Sequence, residues 1–218
     1  MAKRVLLVRG GSLGRNTGLG AAHHNLVDLL ESGKVDGWQL AGICEYPLEK
    51  TSNPISRIWQ RWFAHPKRVA KEINRLVSNN QCDLVHITDQ EQGHLMPKNC
   101  PVPGIITVHD LFHLFPEHLR FSDEVIAVGD TKPGIVRRRD LQKLKAGINR
   151  ANHLLCNSKH TLEAAEQHFP TVAASRVPLG IESAKYHPDN NQSIKLDLPD
   201  KCNLLVVGSN DPRKRMNL

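Results

Sequence analysis

The sequence has few cysteines, and no two of them form a C-x-x-C pair. The 218-residue chain carries five cysteines at scattered positions, namely Cys44, Cys82, Cys100, Cys156 and Cys202. Scattered cysteines favour reduced thiols in a cytosolic protein and argue against a disulfide framework or a cysteine-based metal site. His109 and His113 have the i, i+4 spacing of a metal pair, but no third ligand is spaced to complete a site. We therefore expect neither a bound metal nor a resident cofactor.

Long hydrophobic runs are also missing. No stretch reaches the roughly 20 apolar residues that a membrane-spanning helix needs. The first ten residues, MAKRVLLVRG, contain only a short apolar run. A secretory signal needs an apolar core of about 7–15 residues, so this segment predicts a strand. The expected location is cytoplasmic, with a peripheral contact at the inner membrane face as an open alternative.

Aromatic residues are scarce, at 5% of the chain, and no strand resembles an RNA-binding motif. We therefore expect no nucleic-acid partner. The formal net charge is +7 at pH 7, and such an excess attracts anionic partners such as nucleotide diphosphates or acidic lipid headgroups. The segment 57–68, RIWQRWFAHPKR, places two of the three tryptophans among arginines. It is compatible with a helix packed on a sheet and also with a membrane-interface or acceptor-binding helix.

Short β-branched runs alternate with longer helical patterns along the chain, which is typical of a parallel α/β sheet. The runs lack polar alternation, as expected for strands covered on both faces. The predicted strands are 4–9, 38–44, 83–88, 104–109, 153–157 and 174–179, and the predicted helices are 20–31, 56–78, 134–150 and 159–168. Ser158 is the predicted N-cap of the fourth helix.

Three predicted strands end in residues suited to ligand binding. Glycines 10, 11, 14, 18 and 20 follow the first strand and precede a helix, whose N-terminus can receive an anion. His109 ends the fourth strand and Asp110 follows it, at the edge where an open parallel sheet binds ligands. Asp89 lies just past the third strand and is expected to be exposed, whereas His86 lies inside that strand and is expected to be structural. A flexible turn and a strand-capping histidine remain the alternatives for the glycines and His109.

The composition changes near residue 187. We predict a first domain over 1–186, a polar linker over 187–201, and the beginning of a second α/β domain over 202–218. In the last segment a strand precedes PRKR, where Arg213 and Lys214 are suited to holding a diphosphate.

Taken in order, these segments resemble the large group-one family of retaining GT-B glycosyltransferases. The resemblance is carried by GLGAAHHNLVDLL, RIWQRWFAHPKR, DLVHITDQ, TVHDLFHLFPE, NRANHLLCNSKHTLEAAEQHFP, RVPLGIESAKYHP and LLVVGSNDPRKRMNL. It implies a Rossmann-like parallel sheet with helices on both faces, forming the acceptor-side domain, followed by a domain that binds a nucleotide-sugar donor. The acceptor would be a glycan or a lipid-linked sugar.

The resemblance also implies roles for individual residues. Gly18 and Gly20 would approach the donor phosphates, His109 would contact the transferred sugar, and Arg213 with Lys214 would hold the diphosphate. Asp89 and Asp110 would line the cleft as substrate-binding residues. The family's pair of glutamates belongs to the donor domain and has no counterpart in this sequence, so we expect no sustained turnover by this chain alone.

Two other classes of function remain open. A nucleotide-sugar epimerase of GT-B shape would share the sheet and the diphosphate contacts but would need no acceptor. A non-catalytic module, from a split or degenerate gene, would bind an acceptor, a membrane surface or a partner subunit.

Overall fold

The computed structural model describes residues 2–47, 53–121 and 124–180. Its elements are β1 (Lys3–Gly11), α1 (Gly18–Glu31), β2 (Trp38–Tyr46), α2 (Pro54–Trp59), α3 (His65–Ser78), β3 (Leu84–Ile87), β4 (Gly104–Val108), β5 (Glu117–Phe121), β6 (Glu124–Val128), α4 (Ile135–Ile148), β7 (His153–Cys156), α5 (Lys159–His168) and β8 (Ala173–Arg176). A π-helical turn, Gln60–Ala64, joins α2 to α3, and a 3₁₀ helix, Gln90–Leu95, follows β3. The predicted linker and the predicted second-domain segment, with Arg213 and Lys214, lie outside the described residues.

Six strands form one parallel sheet in the order β2-β1-β3-β4-β7-β8. They are the six predicted strands, displaced by a few residues at their ends, so the predicted parallel α/β architecture is confirmed. The chain leaves β1 toward β2 on one side and returns to β3 on the other. The gap between β1 and β3 is therefore a topological switch point, where open α/β sheets form a crevice beyond the carboxyl ends of their strands.

Helices cover both faces of this sheet. Along β1, alternate side chains point to opposite faces. Val5 and Leu7 belong to a cluster with α1, whereas Leu6 and Val8 belong to a larger cluster with α3, α4 and α5. Burial of every residue from Val5 to Gly10 explains why the strand reads as an uninterrupted run. Among the described residues, no helix is long and apolar enough to cross a bilayer.

The predicted helix 56–78 is interrupted by the π-helical turn Gln60–Ala64. Pro66 follows the turn, and a proline in a helix lacks an N–H and clashes with the carbonyl four residues earlier. The turn accommodates this constraint with a wider bond, in which the His65 N–H donates to the Gln60 carbonyl. The uniform apolar spacing of the segment predicted a single helix and did not reveal the turn.

A hairpin lies where no element was predicted. Strands β5 and β6 pair antiparallel, apart from the main sheet. Glu117, His118 and Arg120 interrupt the apolar pattern of β5, which explains why no element was predicted between residues 109 and 134.

Glycine contacts between α4 and the 3₁₀ helix generate a stability prediction. A Cβ on Gly147 would collide with the Gly93 carbonyl group and approach the His94 nitrogen at 2.8 Å. Gly147→Ala should destabilise the fold by about 1–3 kcal/mol, because the backbones must separate. Gly18→Ala, where nothing lies within 4 Å, is the matched control and should leave stability unchanged or raise it by less than about 1 kcal/mol, because alanine lowers the entropy of the unfolded chain. Urea denaturation measures both, and equal midpoints would contradict the packing described.

Candidate functional site

The candidate site lies at the carboxyl edge, defined as the residues that follow β1, β3, β4 and β7: residues 12–17, 88–90, 109–110 and 157–158. Parallel pairing brings these four segments to one side of the sheet. The predicted ligand-binding residues of the first domain all lie at or beside this edge.

The N-terminus of α1 faces the carboxyl edge through Gly18. Thr17 is the N-cap, and its Oγ1 accepts the Gly20 N–H at 3.0 Å. Gly18 is exposed, with open space around its α-carbon, so its backbone is accessible to a ligand. Gly20 is buried, and a side chain there would collide with the Gly14 carbonyl. The structure thus gives Gly20 a packing contact and leaves Gly18 as the accessible glycine.

The glycine-rich loop is fastened to α1 by two side chains. The Nε2–H of His24 donates to the Leu13 carbonyl at 2.8 Å. The Arg15 guanidinium makes two hydrogen bonds to the Asp28 carboxylate, at 2.6 and 2.9 Å. These contacts hold the loop along the side of α1.

His109 lies at the end of β4, half-buried, and not in the core. Its backbone N–H donates to Gln90 Oε1 at 2.9 Å, and its carbonyl accepts from the Thr161 hydroxyl at 3.3 Å. Its Nε2 lies 3.3 Å from the Thr88 carbonyl, which can only accept, so this bond assigns the proton to Nε2. Nδ1 is then an acceptor for a hydroxyl group.

Thr88 joins His109 to the glycine-rich helix. Its hydroxyl lies 3.1 Å from Nδ1 of His23, a buried residue of α1, while its carbonyl receives His109. The glycine-rich N-terminus and His109 therefore flank the end of β3, on the two sides of the switch point. Neither His23 nor Thr88 was singled out from the sequence.

Asp89 is buried, contrary to the expectation that it is exposed. Only 3% of its surface is accessible. Its Oδ1 accepts the Glu91 N–H at 2.9 Å and so caps the 3₁₀ helix, while its Oδ2 lies 3.8 Å from the Arg9 guanidinium. A strand-end aspartate faces inward here because a buried cation, Arg9, needs a partner of opposite charge. Asp110, which follows His109, is half-buried.

Arg9 ends the buried part of β1 with 2% of its surface accessible. Burial lowers the pKa of its guanidinium from the usual value, and the charge of Asp89 opposes this shift. Its backbone carbonyl accepts the Nε2–H of His65 at 2.7 Å. Arg9 therefore connects β1, the 3₁₀ helix and α3 beneath the carboxyl edge.

Three buried histidines near this edge are held neutral. Burial, aided by the charge of Arg9, lowers the pKa of His23 to about 4. Burial likewise lowers the pKa of His86 to about 4 and that of His94 to about 3. His86 lies 2.8 Å from the Thr107 hydroxyl through Nε2, which agrees with the structural role expected for it.

A second cluster of charges surrounds Asp140, on the far side of the 3₁₀ helix. Its carboxylate accepts hydrogen bonds from Arg61 at 2.8 and 3.0 Å, from Trp62 Nε1 at 2.9 Å and from Arg137 at 2.9 Å. Burial alone would raise the pKa of Asp140, but the donors and charge of Arg61 outweigh it and the pKa is lowered. Arg137 also pairs with Glu91 and Asp130, so each of the three acidic groups of this cluster has an arginine partner.

Within the described ranges, no group of three or more histidine, cysteine or acidic side chains could hold a metal ion. His113 instead lies 3.7 Å from Asp130. The expectation that no metal is needed remains a prediction.

No protein-family model matches the sequence, and no curated protein matches it. Among solved structures, Phytolacca americana UGT2 complexed with UDP-2fluoro-glucose and pterostilbene is similar in fold, at a TM-score of 0.52 and 10% identity over 83% of this chain and 53% of that chain. For Medicago truncatula UGT71G1 complexed with UDP-glucose the TM-score is 0.49 and the sequence identity is 8%, and the match covers 82% of this chain and 51% of that chain. For a Polygonum tinctorium UDP-glucosyltransferase the TM-score is 0.47 and the sequence identity is 13%, and the match covers 83% of this chain and 52% of that chain.

The fold is that of a GT-B N-terminal domain. The chain spans about half the length of these proteins. The likeness to Phytolacca americana UGT2, at a TM-score above 0.5 but 10% identity, concerns the fold alone. It supports the predicted GT-B architecture, whereas the group-one assignment and the retaining mechanism remain predictions.

The Arg9–Asp89 pair generates the second prediction. Asp89→Asn preserves an oxygen that can cap the 3₁₀ helix but removes the charge facing Arg9. The fold should lose on the order of 3 kcal/mol, because a buried cation is left uncompensated. Asp83→Asn is the matched control, since Asp83 faces Arg4 at 4.0 Å with both side chains well exposed and should cost less than about 1 kcal/mol. Urea denaturation at neutral pH measures both, and similar losses would contradict a special role for the buried pair.

The buried histidines predict loss of stability in acid. Their folded pKa values of about 3 to 4 lie below the unfolded value of about 6.5, so the unfolded state binds protons first as the pH falls. The stability they contribute is fully present above pH ~6.5 and declines toward pH 4, at about 2 kcal/mol per histidine by pH ~5.

Urea denaturation between pH 7.5 and 5 tests this dependence. In His86→Gln the free energy of unfolding should fall by about 2 kcal/mol less between pH 7.5 and 5 than in the wild type. His118→Gln, on the exposed hairpin, should show the same pH dependence as the wild type. A stability independent of pH over this range would show that these histidines titrate normally.

Proposed function

We propose that this chain is the acceptor-side domain of a glycosyltransferase that moves a hexosyl group from a nucleotide sugar to a glycan or lipid-linked acceptor. One observation carries the proposal: α1, whose N-terminus is accessible at Gly18, contacts Thr88 through His23, and His109 contacts the same residue, beside the switch point of the sheet. A helix N-terminus favours a phosphate, and an imidazole acceptor favours a sugar hydroxyl. The phosphate of a sugar phosphate would thus bind at the N-terminus of α1, and a hydroxyl group of its sugar would bind at the neighbouring His109.

The proposed roles follow from these positions. Gly18 approaches the donor phosphates at the N-terminus of α1, and Gly20 supports it by packing the loop against the helix. His109 contacts the transferred sugar, with Asp110 beside it. Asp89, being buried, acts on the site indirectly by holding the 3₁₀ helix that supplies Gln90 to His109. Arg213 and Lys214 remain the proposed diphosphate ligands.

The proposed chemistry is electrostatic. Negative charge develops on the leaving nucleotide diphosphate as the glycosidic bond breaks, and backbone N–H groups and cations oriented beforehand stabilise it. We propose retention of the anomeric configuration because of the group-one resemblance, and we assign no protein base and no metal. The first donor to test is a UDP-sugar, since the solved structure of similar fold contains UDP-2fluoro-glucose.

A cytoplasmic site of action is part of the proposal. The four cysteines in the described ranges are free thiols, and three of them are buried. Buried thiols behave as small apolar groups and need no oxidising compartment.

His109→Ala tests the sugar contact. The variant should bind UDP-glucose about tenfold more weakly, the equivalent of one hydrogen bond, while its affinity for UDP is unchanged. Titrations of the isotope-labelled chain by NMR measure both affinities, and the amide shifts should concentrate at Gly18 and His109. His118→Ala, an exposed histidine on the hairpin, is the control. Equal weakening of UDP and UDP-glucose, or no weakening of either, would contradict the assigned contact.

Product analysis separates the classes of function. Incubation of the chain joined to a donor-binding domain, with candidate acceptors and radiolabelled UDP-, GDP- and ADP-sugars, should yield a glycosylated acceptor whose NMR spectrum shows the donor's anomeric configuration. The 218-residue chain alone should give no sustained transfer. A free or isomerised sugar formed without acceptor would indicate the epimerase. Saturable acceptor binding without any chemical product would favour the non-catalytic module.

A further inference from the structure

One face of the molecule combines exposed apolar side chains with cations that form no ion pair with an acid of the described residues. It is formed by α2, the π-helical turn and the first turn of α4, and is called the α2–α4 face below. Its exposed apolar residues are Ile55, Trp59, Phe63, Ile135 and Val136, which make up half of the ten large apolar side chains most exposed in the described ranges. Isolated exposed apolar residues are ordinary, but a cluster marks an interaction surface.

The helical geometry explains why these side chains point outward. Ile55, Trp59 and Phe63 recur every four residues and form one stripe, with 59% of the Trp59 surface accessible. Ile58 and Trp62, offset by one position, line the inner side. Trp62 is held there by its hydrogen bond to Asp140. The outer stripe therefore projects away from the sheet.

A cavity of about 500 Å³ opens between the two parts of this face. It is lined by Ile58, Arg61, Trp62, Gly134, Ile135, Val136, Arg137 and Asp140. The two arginines are already paired with Asp140. The groups left to contact an occupant are thus mainly apolar, which suits a hydrocarbon chain better than a free anion.

The exposed charges along the rim are positive. No aspartate or glutamate occurs from Asn53 to Lys71, and the sole acid of α4, Asp140, is buried and paired. Two further acids, Glu91 and Asp130, are partly buried and pair with Arg137. Arg57, Arg138 and Arg139 are exposed.

Aromatic rings accompany these cations. Lys143 lies over the Trp62 and Phe63 rings at 5.3 and 5.5 Å. Within the part of the chain that the structure describes, the face therefore presents cations and aromatic rings, and the neighbouring acids are already paired.

We propose that the α2–α4 face docks on the surface of an anionic phospholipid bilayer. Trp59, Phe63 and Ile135 would enter the headgroup region, and Arg57, Arg138 and Arg139 would contact lipid phosphates. Aromatic rings with aliphatic side chains prefer the membrane interface, and exposed cations add attraction to anionic lipids. The inference stands independently of glycosyl transfer, because neither the surface nor its test involves a sugar.

A second copy of the chain fits this face less well. A symmetric dimer through the face would bring Arg57, Arg138 and Arg139 of both copies together without an acid to compensate them. A bilayer containing anionic lipid offers the opposite charge and an apolar interior beneath it.

Vesicle binding by the 218-residue chain tests the proposal. Flotation with vesicles of phosphatidylcholine, with or without one third phosphatidylglycerol, should show at least about tenfold stronger binding to the anionic vesicles, weakened by added salt. Tryptophan emission should shift to the blue on binding, because Trp59 leaves water. The shift should be absent in Trp59→Phe, although Trp38 and Trp62 remain.

Two double variants separate the apolar from the ionic contribution. Trp59→Ala with Phe63→Ala, and Arg57→Glu with Arg139→Glu, should each reduce anionic-vesicle binding about tenfold or more. Leu29→Ala with Lys34→Glu, exposed positions on and just after α1, is the matched control and should bind like the wild type. Circular dichroism confirms that each variant is folded.

Other results of these experiments would contradict docking on a bilayer. No binding, equal binding to neutral and anionic vesicles, or unchanged binding of both α2–α4 variants would overturn the proposal. A concentration-dependent dimer in size-exclusion chromatography, abolished by Trp59→Ala with Phe63→Ala, would assign the face to a second copy instead.

Discussion

The carboxylate of Asp89 is the constraint on which the carboxyl edge depends. Asp89 is almost fully buried. One carboxylate oxygen accepts the Glu91 N–H and so caps the 3₁₀ helix, and the other lies close to the guanidinium of the buried Arg9. Burying a charge is costly unless an opposite charge lies beside it, so β1, β3 and the 3₁₀ helix must keep their relative positions for the two charges to stay paired. Gln90 reaches the His109 backbone only because this helix begins where it does.

The sheet was predictable because its sequence signal is local. A strand covered on both faces needs consecutive apolar residues, and β1, β3, β4 and β7 each show such a run between polar segments. The Ser158 cap was predictable for the same reason: its Oγ accepts the Thr161 N–H three residues on, a contact set by helix geometry alone. The carboxyl edge follows from strand direction, which is why His109 and Gly18 were placed on it correctly.

The remaining features depend on contacts between distant segments, which periodicity does not report. The inward turn of Asp89 requires Arg9, eighty positions earlier, and the bridge through Thr88 requires a histidine on α1. Gly20 resembles Gly18 in sequence, yet only the fold shows that the Gly14 carbonyl lies against it. Pro66 is a local indication of the π-helical turn, but the apolar spacing of the segment is that of one continuous helix, so the turn was not predicted.

The 3₁₀ helix supports two surfaces with neighbouring residues. The Gln90 side chain receives the His109 N–H, while the Glu91 carbonyl and carboxylate receive Arg61 and Arg137 beside the cavity of the α2–α4 face. The 3₁₀ helix is only six residues long, so a displacement of either arginine would be felt at Gln90 and at the backbone of His109. The proposed membrane face and the proposed sugar contact therefore depend on the same short helix.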